Sequence, residues 1–503
     1  MKENKLFIIL IIFLFICSVK GDISTGWTEN TLETISNANI GGLASSGEAM
    51  FYNSLNDRWY MFYTYDSSTN RYIRYSYTDS GDVTTVTNGG VASHVLIGDA
   101  NANDNIFSDY GNWFSVLYDE ENLIGHLFYC VNNYGQPKYL YYRNFTVLGG
   151  GSLGFGTARE LRTFSDASGK IFVSSCLDEN NLPIFLTSEY TSSLSVWMWK
   201  PSKIDLYTAT FTKVEINENT LNNRCSLGLI PYQDNDFLII SANAYADESL
   251  YYARFDFDTA TNLSVTLATG FSDYTVNWEY DYDSTRPRSS YWGYSYNETD
   301  VGIVYAEGGS NYKKAWFFMY DFATDTKGSE YLCLQAVDYI YPDISIHDNE
   351  FFVFGYAENT TTNYDYILAN EYTNQYSGPF NVTGQKVLFS VGLSHAYSPT
   401  FMCPTFCKSN GEILFVWDSG QVTPNKFVYS YGTIEGQYAP VTPRIIDPLV
   451  PYELIGLILF LVGSIMMVSG PCLLVIRRTP ESFLYMFILC AVGLGLILGW
   501  IYW

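Results

Sequence analysis

Short runs in which apolar and polar residues alternate recur along most of the chain. Residues 349–372, NEFFVFGYAENTTTNYDYILANEY, show the pattern clearly: Phe352, Phe354 and Tyr356 occupy alternate positions, and the alternation resumes at Tyr364 after a polar turn. A period of two predicts two strands of a hairpin. Because an isolated hairpin is marginally stable in water, its apolar face must pack against other parts of the chain.

This hairpin pattern occurs seven times. A turn rich in Asn, Asp, Glu and Gly precedes each copy, and a second alternating strand follows it. A further strand lies before the turn, and in most copies a fourth follows the hairpin. The leading strands of the seven copies are 59–65, 125–131, 183–189, 237–243, 301–307, 351–357 and 412–418.

Four short antiparallel strands in a period of about 60 residues are the layout of a propeller blade, so the chain resembles the β-propeller superfamily. The resemblance implies an all-β fold, a seven-bladed β-propeller over residues 45–440. The last repeat lacks a clear fourth strand, and we expect a strand from residues 22–44 to close the ring. Merged or missed copies would give six or eight blades, and a pair of β-sandwiches is the alternative fold. Kelch and WD40 signatures do not recur, so no specific family is indicated.

The start of the chain is apolar. Residues 1–21 combine a Lys-bearing beginning, an apolar run from Leu6 to Cys17 and a small residue at Gly21. This predicts a secretory signal peptide, with an uncleaved signal anchor as the alternative. The residues that follow are therefore expected outside the cytosol.

The end of the chain predicts a membrane hairpin. After a linker, residues 441–453, the apolar stretches 454–476 and 483–503 are each long enough to cross a bilayer. The loop between them, 477–482, contains two adjacent arginines, so the positive-inside rule places it in the cytosol. The prediction is a multi-pass protein of the plasma membrane or a secretory-pathway membrane, with the ectodomain and the C-terminus outside the cytosol.

The composition limits the kinds of partner that the protein is expected to bind. The formal net charge is −25, and no Lys/Arg-rich stripe is present, so nucleic-acid binding has no electrostatic basis. Aromatic residues make up 17% of the chain, which favours pleated, half-buried surfaces. The expected partners are a protein or glycan ligand and the lipid bilayer. Small residues on one face of the second membrane helix, Ala491, Gly495 and Gly499, suit either packing against the first membrane helix or binding to a second subunit.

Cysteines and glycosylation sequons suit an oxidising compartment. Six cysteines lie between the predicted signal and the membrane spans, and sequence spacing does not choose among their 15 pairings. Cys403 and Cys407 are close enough in sequence for a local disulfide. Five sequons predict glycosylation at Asn144, Asn262, Asn297, Asn359 and Asn381.

Two surface sites are predicted. In residues 98–105, GDANANDN, alternate oxygen-bearing side chains suggest a Ca²⁺ loop at Asp99, Asn101 and Asn103, with an ordinary turn as the alternative. No other cofactor is expected. Aromatic and basic residues also cluster around a long insertion, where they are suited to stacking on a ligand or to packing between blades. The candidate ligand-binding residues are Trp278, Tyr282, Arg286, Arg288, Trp292 and Tyr294.

No catalytic constellation is visible in the sequence. Four histidines, His94, His126, His347 and His395, lie in different repeats, and no Ser/His/Asp group or zinc-protease motif occurs. The main prediction is therefore a non-catalytic, membrane-anchored propeller that binds a ligand. One alternative is a propeller glycosidase or another carbohydrate-active enzyme, and the other is a subunit of a membrane complex. Candidate carboxylates for the enzyme are Asp166, Glu279, Asp281 and Asp283.

Overall fold

In the computed structural model the chain divides into two compact units, residues 1–438 and 439–503. All residues that the structure describes belong to the first unit. They are residues 22–23, 30–35, 49–66, 70–95, 98–99, 114–131, 138–164, 171–190, 194–216, 225–231, 236–243, 250–257, 266–267, 292–296, 300–306, 314–321 (without 322–323), 324, 326–336, 339–347, 350–358, 364–373, 385–393, 402–406, 412–418 and 425–435.

These residues form β-strands and turns, with no helix among them. Two N-terminal strands come first, β1 (Asp22–Ile23) and β2 (Asn30–Ile35). Sheet 1 follows with β3 (Met50–Asn53), β4 (Arg58–Asp66), β5 (Asn70–Asp79), β6 (Asp82–Val91) and β7 (Gly98–Asp99). Sheet 2 contains β8 (Phe114–Asp119), β9 (Ile124–Val131), β10 (Lys138–Val147), β11 (Leu153–Phe155) and β12 (Arg159–Phe164). Sheet 3 contains β13 (Ile171–Leu177), β14 (Pro183–Tyr190), β15 (Leu194–Pro201) and β16 (Phe211–Ile216).

Four more sheets complete the described chain. Sheet 4 contains β17 (Cys225–Pro231), β18 (Asp236–Asn243), β19 (Leu250–Asp256) and β20 (Thr266–Leu267). Sheet 5 contains β21 (Trp292–Tyr296), β22 (Asp300–Ala306), β23 (Lys314–Asp321), β24 (Thr326–Lys327) and β25 (Tyr331–Gln335). Sheet 6 contains β26 (Tyr339–His347), β27 (Glu350–Glu358), β28 (Tyr364–Thr373) and β29 (Lys386–Leu393). Sheet 7 contains β30 (Met402–Phe406), β31 (Glu412–Asp418) and β32 (Asn425–Glu435), and both β1 and β2 pair with β32.

All strand pairs are antiparallel, and each sheet contacts the next through its first strand. β3 contacts β8, β8 contacts β13, β13 contacts β17, and the series continues through β21, β26 and β30, which contacts β3 again. Antiparallel sheets packed one after another around a closed circuit form a β-propeller. The predicted all-β propeller fold and its internal repeat are therefore confirmed.

The repeated hairpin of the sequence is the second and third strand of each sheet. Its leading strands correspond to β4, β9, β14, β18, β22, β27 and β31. The polar turn before each copy connects the first strand to the second. In sheet 2, for example, the Asp119 carboxylate accepts hydrogen bonds from the backbone N–H groups of Glu121 (3.0 Å) and Asn122 (2.9 Å), and Leu123 completes the turn with φ 56°.

Aromatic rings fill the interfaces between neighbouring sheets. Phe51 of sheet 1 stacks on Tyr118 of sheet 2 with ring centroids 4.5 Å apart, and Phe128 of sheet 2 lies 4.8 Å from Phe185 of sheet 3. Pairs of this kind contribute about 0.5–1.5 kcal/mol each beyond the burial of their area. The aromatic surplus of the composition therefore serves packing between sheets.

The structure tests part of the disulfide prediction. Cys130 and Cys333 are buried free thiols in the cores of different sheets, so the expectation of paired ectodomain cysteines is wrong for these two. Cys407 and the side chain of Cys403 lie outside the described set. No helix long and apolar enough to cross a membrane occurs among the described residues. The predicted signal peptide and both predicted membrane spans lie outside those residues.

Candidate active site

A histidine, two tyrosines and an arginine meet at the interface between sheets 1 and 2. Tyr141 lies directly opposite Tyr129 in the β9–β10 pair, and Arg143 follows two residues later on β10. Since side chains alternate along a strand, all three lie on the face of sheet 2 that is turned towards sheet 1. His94 comes from sheet 1, three residues after the end of β6.

The segment that carries His94 is held by backbone and side-chain bonds. The N–H of Ala92 donates to the carbonyl oxygen of Ile73 at 2.7 Å, and the N–H of Ile73 donates to Ser93 Oγ at 3.1 Å. Ala92 and Ser93 are both buried, whereas His94 is exposed. The imidazole is thus placed by an ordered backbone and remains accessible to a ligand.

His94 and Tyr129 form a hydrogen-bonded pair between Nδ1 and the phenol oxygen. The His94 ring also meets the Tyr141 ring edge-on, with centroids 4.5 Å apart and an interplanar angle of 72°. Tyr129 and Tyr141 stack at 5.8 Å. The two tyrosines therefore fix the orientation of the imidazole, and His94 Nε2 makes no hydrogen bond with any described residue.

Arg143 lies beside this pair as a fixed cation. Its Nη1 donates to the Ala92 carbonyl oxygen at 2.6 Å, and its Nε donates to the Gly156 carbonyl oxygen at 2.9 Å. The guanidinium carbon lies 4.8 Å from the centroid of the Phe155 ring. Among the described residues, no partner accepts a hydrogen bond from the third nitrogen, Nη2. Arginine held in this way can offer Nη2 to a carboxylate or sulfate.

The electrostatics keep the histidine and the tyrosine neutral. Desolvation of the part of the ring that packs on sheet 2, reinforced by the positive charge of Arg143, lowers the pKa of His94. Burial raises the pKa of Tyr129, and the Arg143 charge opposes that rise. At neutral pH the site therefore contains a neutral imidazole, a neutral phenol and a guanidinium cation. An accessible base beside an anion-binding group supplies two components of proton-transfer catalysis on an anionic substrate.

A second histidine–tyrosine pair lies on the opposite face of sheet 2. His126 Nδ1 and the Tyr142 hydroxyl are 2.9 Å apart, and both residues are completely buried. Burial lowers the pKa of His126 to about 4. Because no substrate reaches a completely buried pair, this one is structural.

The residues predicted for ligand binding are only partly within the described chain. Trp292 and Tyr294 lie on β21, opposite Val304 and Gly302 of β22. Trp278, Tyr282, Arg286 and Arg288 lie outside the described residues. So do the four candidate carboxylates Asp166, Glu279, Asp281 and Asp283.

The residues predicted for Ca²⁺ binding and for glycosylation are also only partly within the described chain. Asp99 lies on β7 opposite Asn70, whereas Asn101 and Asn103 are outside the described set. No group of three His, Cys, Asp or Glu residues that could hold a metal occurs within the described part of the chain. Asn144 is half-buried on β10, and its Oδ1 accepts a hydrogen bond from the Tyr207 hydroxyl at 2.9 Å. The sequons at Asn262, Asn297, Asn359 and Asn381 lie outside the described residues.

The sequence analysis missed His94, Tyr129 and Arg143 as a group. His94 belongs to the first repeat and the other two to the second, and Tyr129 lies 35 positions after His94, so no short motif joins them. One signal was available: the chain has only four histidines, and His94 directly follows an alternating strand at the start of a connection between repeats.

Comparisons with known proteins identify shared folds. No protein-family model and no curated protein matches the chain. A solved ulvan lyase of polysaccharide lyase family PL25, bound to -[GlcA(1-4)Rha3S]-, is similar with TM-score 0.50 and 10% identity, covering 82% of this chain and 97% of that one. The polysaccharide lyase Uly1 has TM-score 0.43 and 8% identity, with coverage of 81% and 100%. The GH62 α-L-arabinofuranosidase domain of Coprinopsis cinerea has TM-score 0.30 and 8% identity, with coverage of 52% and 90%.

The main functional prediction from the sequence, a non-catalytic binding module, is corrected by this comparison. The solved structure with TM-score 0.50 is named a polysaccharide lyase, and at 10% identity it shows a shared fold. The alternative prediction from the sequence, a carbohydrate-active enzyme, is the one compatible with that neighbour. The physical reason for the error is that side chains from separate repeats form a recognisable group only after folding brings them together.

Proposed function

We propose that this protein is a carbohydrate-active enzyme that cleaves an acidic polysaccharide by β-elimination. One observation carries the proposal: the hydrogen-bonded pair of His94 and Tyr129 lies beside Arg143 at an accessible edge of the interface between sheets 1 and 2. Similarity of fold to an ulvan lyase is compatible with this proposal. The activity itself is inferred from the site.

Elimination requires three functions. A base removes the proton from the sugar carbon next to the carboxylate, a cation stabilises the negative charge that develops on that carboxylate, and an acid protonates the leaving glycosidic oxygen. The neutral imidazole of His94 is suited to be the base, through Nε2, and Arg143 Nη2 is suited to bind the carboxylate. Tyr129 is completely buried, so its hydroxyl orients the imidazole and does not touch the substrate. Solvent water at the accessible edge of the interface is the acid.

The electron and proton balance closes through His94 and one water molecule. The C–H electrons form the new carbon–carbon double bond as the bond from carbon to the glycosidic oxygen breaks, and a water proton goes to that oxygen. This leaves a hydroxide ion and an imidazolium whose Nδ1–H donates to the Tyr129 hydroxyl. The hydroxide removes the proton that the substrate delivered to Nε2, which restores the water molecule and the neutral imidazole.

The test uses the purified full-length protein and a set of polysaccharides that contain glucuronic acid. Elimination yields an unsaturated uronate that absorbs ultraviolet light, whereas hydrolysis does not. We expect His94→Ala to reduce the rate about 10²- to 10⁴-fold, the usual contribution of a positioned base. Tyr129→Phe removes the hydroxyl that orients the imidazole and should reduce the rate by a smaller factor. The matched control is Tyr139→Phe, on the neighbouring strand β10 and on the same face of sheet 2. Reducing ends without ultraviolet absorbance, or equal loss in the control, would contradict the elimination mechanism.

We further propose that each of the seven sheets is one blade of a seven-bladed ring closed by β1 and β2. The circuit of contacts from β3 through β30 and back to β3 supports this count, and the pairing of β2 with β32 supports the closure. In this arrangement the ring, not any single sheet, holds His94 against Tyr129.

We also propose that the enzyme acts outside the cytosol, anchored to a membrane. The support is the sequence pattern: an apolar start typical of a signal peptide, and the apolar stretches 454–476 and 483–503 around a loop with two arginines. An extracytoplasmic enzyme would meet polysaccharides that a cytosolic one would not. Ca²⁺ binding at Asp99 remains a prediction.

A further inference from the structure

Two tryptophans and two cations form a cluster at the interface between sheets 2 and 3. Trp197 and Trp199 occupy alternate positions on β15, and Lys213 lies opposite Trp199 on β16, so the three side chains share one face. Lys213 Nζ lies 4.8 Å from the centroid of the Trp197 ring and 5.6 Å from that of Trp199. We call Arg162, Trp197, Trp199 and Lys213 the cation–tryptophan cluster.

Arg162 reaches the same two rings from sheet 2. Its guanidinium carbon lies 5.5 Å from the Trp197 centroid and 5.6 Å from the Trp199 centroid. Two positive charges therefore share one pair of indoles. The attraction between each cation and the ring faces offsets their mutual repulsion. An anion placed at the cluster would reduce that repulsion further.

The cluster is ordered and accessible. Trp199 Nε1 donates to Thr187 Oγ1 at 2.9 Å, and its ring stacks on Phe185 with an interplanar angle of 6°. Lys213 is exposed, and it forms no ion pair with any residue that the structure describes. Both indoles are half-buried. The cations are thus presented by a rigid base and do not have to be ordered by a ligand.

The charge around the cluster is also unusual for this protein. Residues 114–216, which include sheets 2 and 3, contain eight Lys and Arg against ten Asp and Glu. The rest of the chain contains 19 Lys and Arg against 42 Asp and Glu. Most of the chain repels a polyanion, and this part repels it least.

The cluster is connected to the candidate active site through sheet 2. Arg162 on β12 lies opposite Leu140 of β10, and Leu140 precedes Tyr141, which packs on His94. Sheet 2 therefore bears the candidate active site on its face towards sheet 1, and it contributes Arg162 to the cluster on its face towards sheet 3. A chain that extends beyond the cleavage site across sheet 2 meets this second positive position.

We propose that the cation–tryptophan cluster binds a carboxylate or sulfate group of the acidic polysaccharide, outside the site of cleavage. This inference rests on the proposed function for the identity of the ligand. The cluster supplies affinity for long chains, and a short oligosaccharide that fills only the cleavage site does not reach it.

The experiment compares the full-length wild type with Lys213→Glu, Lys213→Gln and the control Lys203→Glu, an exposed lysine of the same sheet that contacts no indole. Binding is measured by affinity electrophoresis in a polysaccharide of glucuronic acid and 3-sulfated rhamnose, and cleavage is measured on that polymer and on its tetrasaccharide. We expect Lys213→Glu to weaken polymer binding about tenfold, equivalent to ~1.4 kcal/mol. Lys213→Gln should weaken it less, and the rate on the tetrasaccharide should not change. Equal melting temperatures establish that the variants are folded.

The outcomes separate this inference from the proposed function. Polymer binding that is weakened equally by Lys203→Glu, or unaffected by Lys213→Glu, overturns the inference even if the wild type cleaves the polymer. Binding that depends on Lys213 in a protein that cleaves nothing supports the cluster and refutes the elimination activity. Absence of both binding and cleavage refutes both.

Discussion

The buried pair of His126 and Tyr142 should control the acid stability of the propeller. His126 is completely buried, and its Nε2 makes no hydrogen bond with any residue that the structure describes. Burial lowers its pKa from 6.5 to about 4, with the nearby Asp119 charge opposing the shift. A shift of this size corresponds to about 3 kcal/mol of differential stability between the neutral and charged states.

The sign follows from where the proton binds. Between pH 6.5 and 4 the unfolded chain protonates this histidine and the folded protein does not. Stability is therefore fully present above pH 6.5 and falls by up to about 3 kcal/mol as the pH decreases to 4, because protons favour the unfolded state. This loss is specific to His126 and adds to whatever other groups contribute.

The perturbation that isolates it is the double variant His126→Phe/Tyr142→Phe. Removing both partners leaves no orphaned hydroxyl, so the cost at pH 7 should be small, within about 1 kcal/mol. Tyr142→Phe alone is the control, because it keeps the titrating imidazole. The packing of the Tyr142 ring against Phe128, with centroids 5.3 Å apart, is available to phenylalanine as well.

The assay is urea unfolding of the full-length protein followed by tryptophan fluorescence at several pH values from 7 to 4. The stability of the double variant minus that of the wild type should increase by about 3 kcal/mol over this range. For Tyr142→Phe the same difference should stay nearly constant. A constant difference for the double variant would show that His126 titrates normally, and the argument from burial would fail.

Three further predictions concern the site and the core. The acid limb of the pH–rate profile should lie below pH 6.5, because burial and Arg143 lower the pKa of His94; a limb at or above that value would contradict the assignment of His94 as the base. Gly156→Ala should lower both stability and activity, because the added methyl group would overlap Asn144 Oδ1, and the Gly156 carbonyl oxygen accepts the hydrogen bond that holds Arg143. Gly150→Ala, which has open space around it, should have no effect in the same melting and activity assays. Burial raises the pKa of the Asp343 carboxyl, whose Oδ2 has no partner among the described residues, so the stability of the wild type falls as the pH rises above 3.8. Asp343→Asn should therefore stabilise the protein by roughly 1–3 kcal/mol at pH 8, seen as a higher melting temperature, and should not do so at pH 3.5. An equal effect at both pH values would show that Asp343 ionises normally.

Much of the fold followed from local patterns. Alternation with period two and turns rich in Asn, Asp and Gly act within a few residues, so the hairpins of β4–β5 and β27–β28 were predictable to within one or two residues. The repetition of the hairpin then indicated a propeller, since each copy has an apolar face that only another copy can cover. The disulfide expectation failed for Cys130 and Cys333 because cysteine number carries no information about distance.

What the sequence determined by itself is the unit of structure, a hairpin-centred repeat with aromatic faces, because strand and turn preferences are short-range. Only the tertiary structure decided which residues become neighbours between repeats. It placed His94 of sheet 1 against Tyr129 of sheet 2. It also buried His126 completely, although this residue follows the exposed turn at Asn122 by only four positions. The two histidines are chemically identical in the sequence, and they differ in the folded chain because exposure and the distance to a neighbouring charge depend on contacts between distant segments.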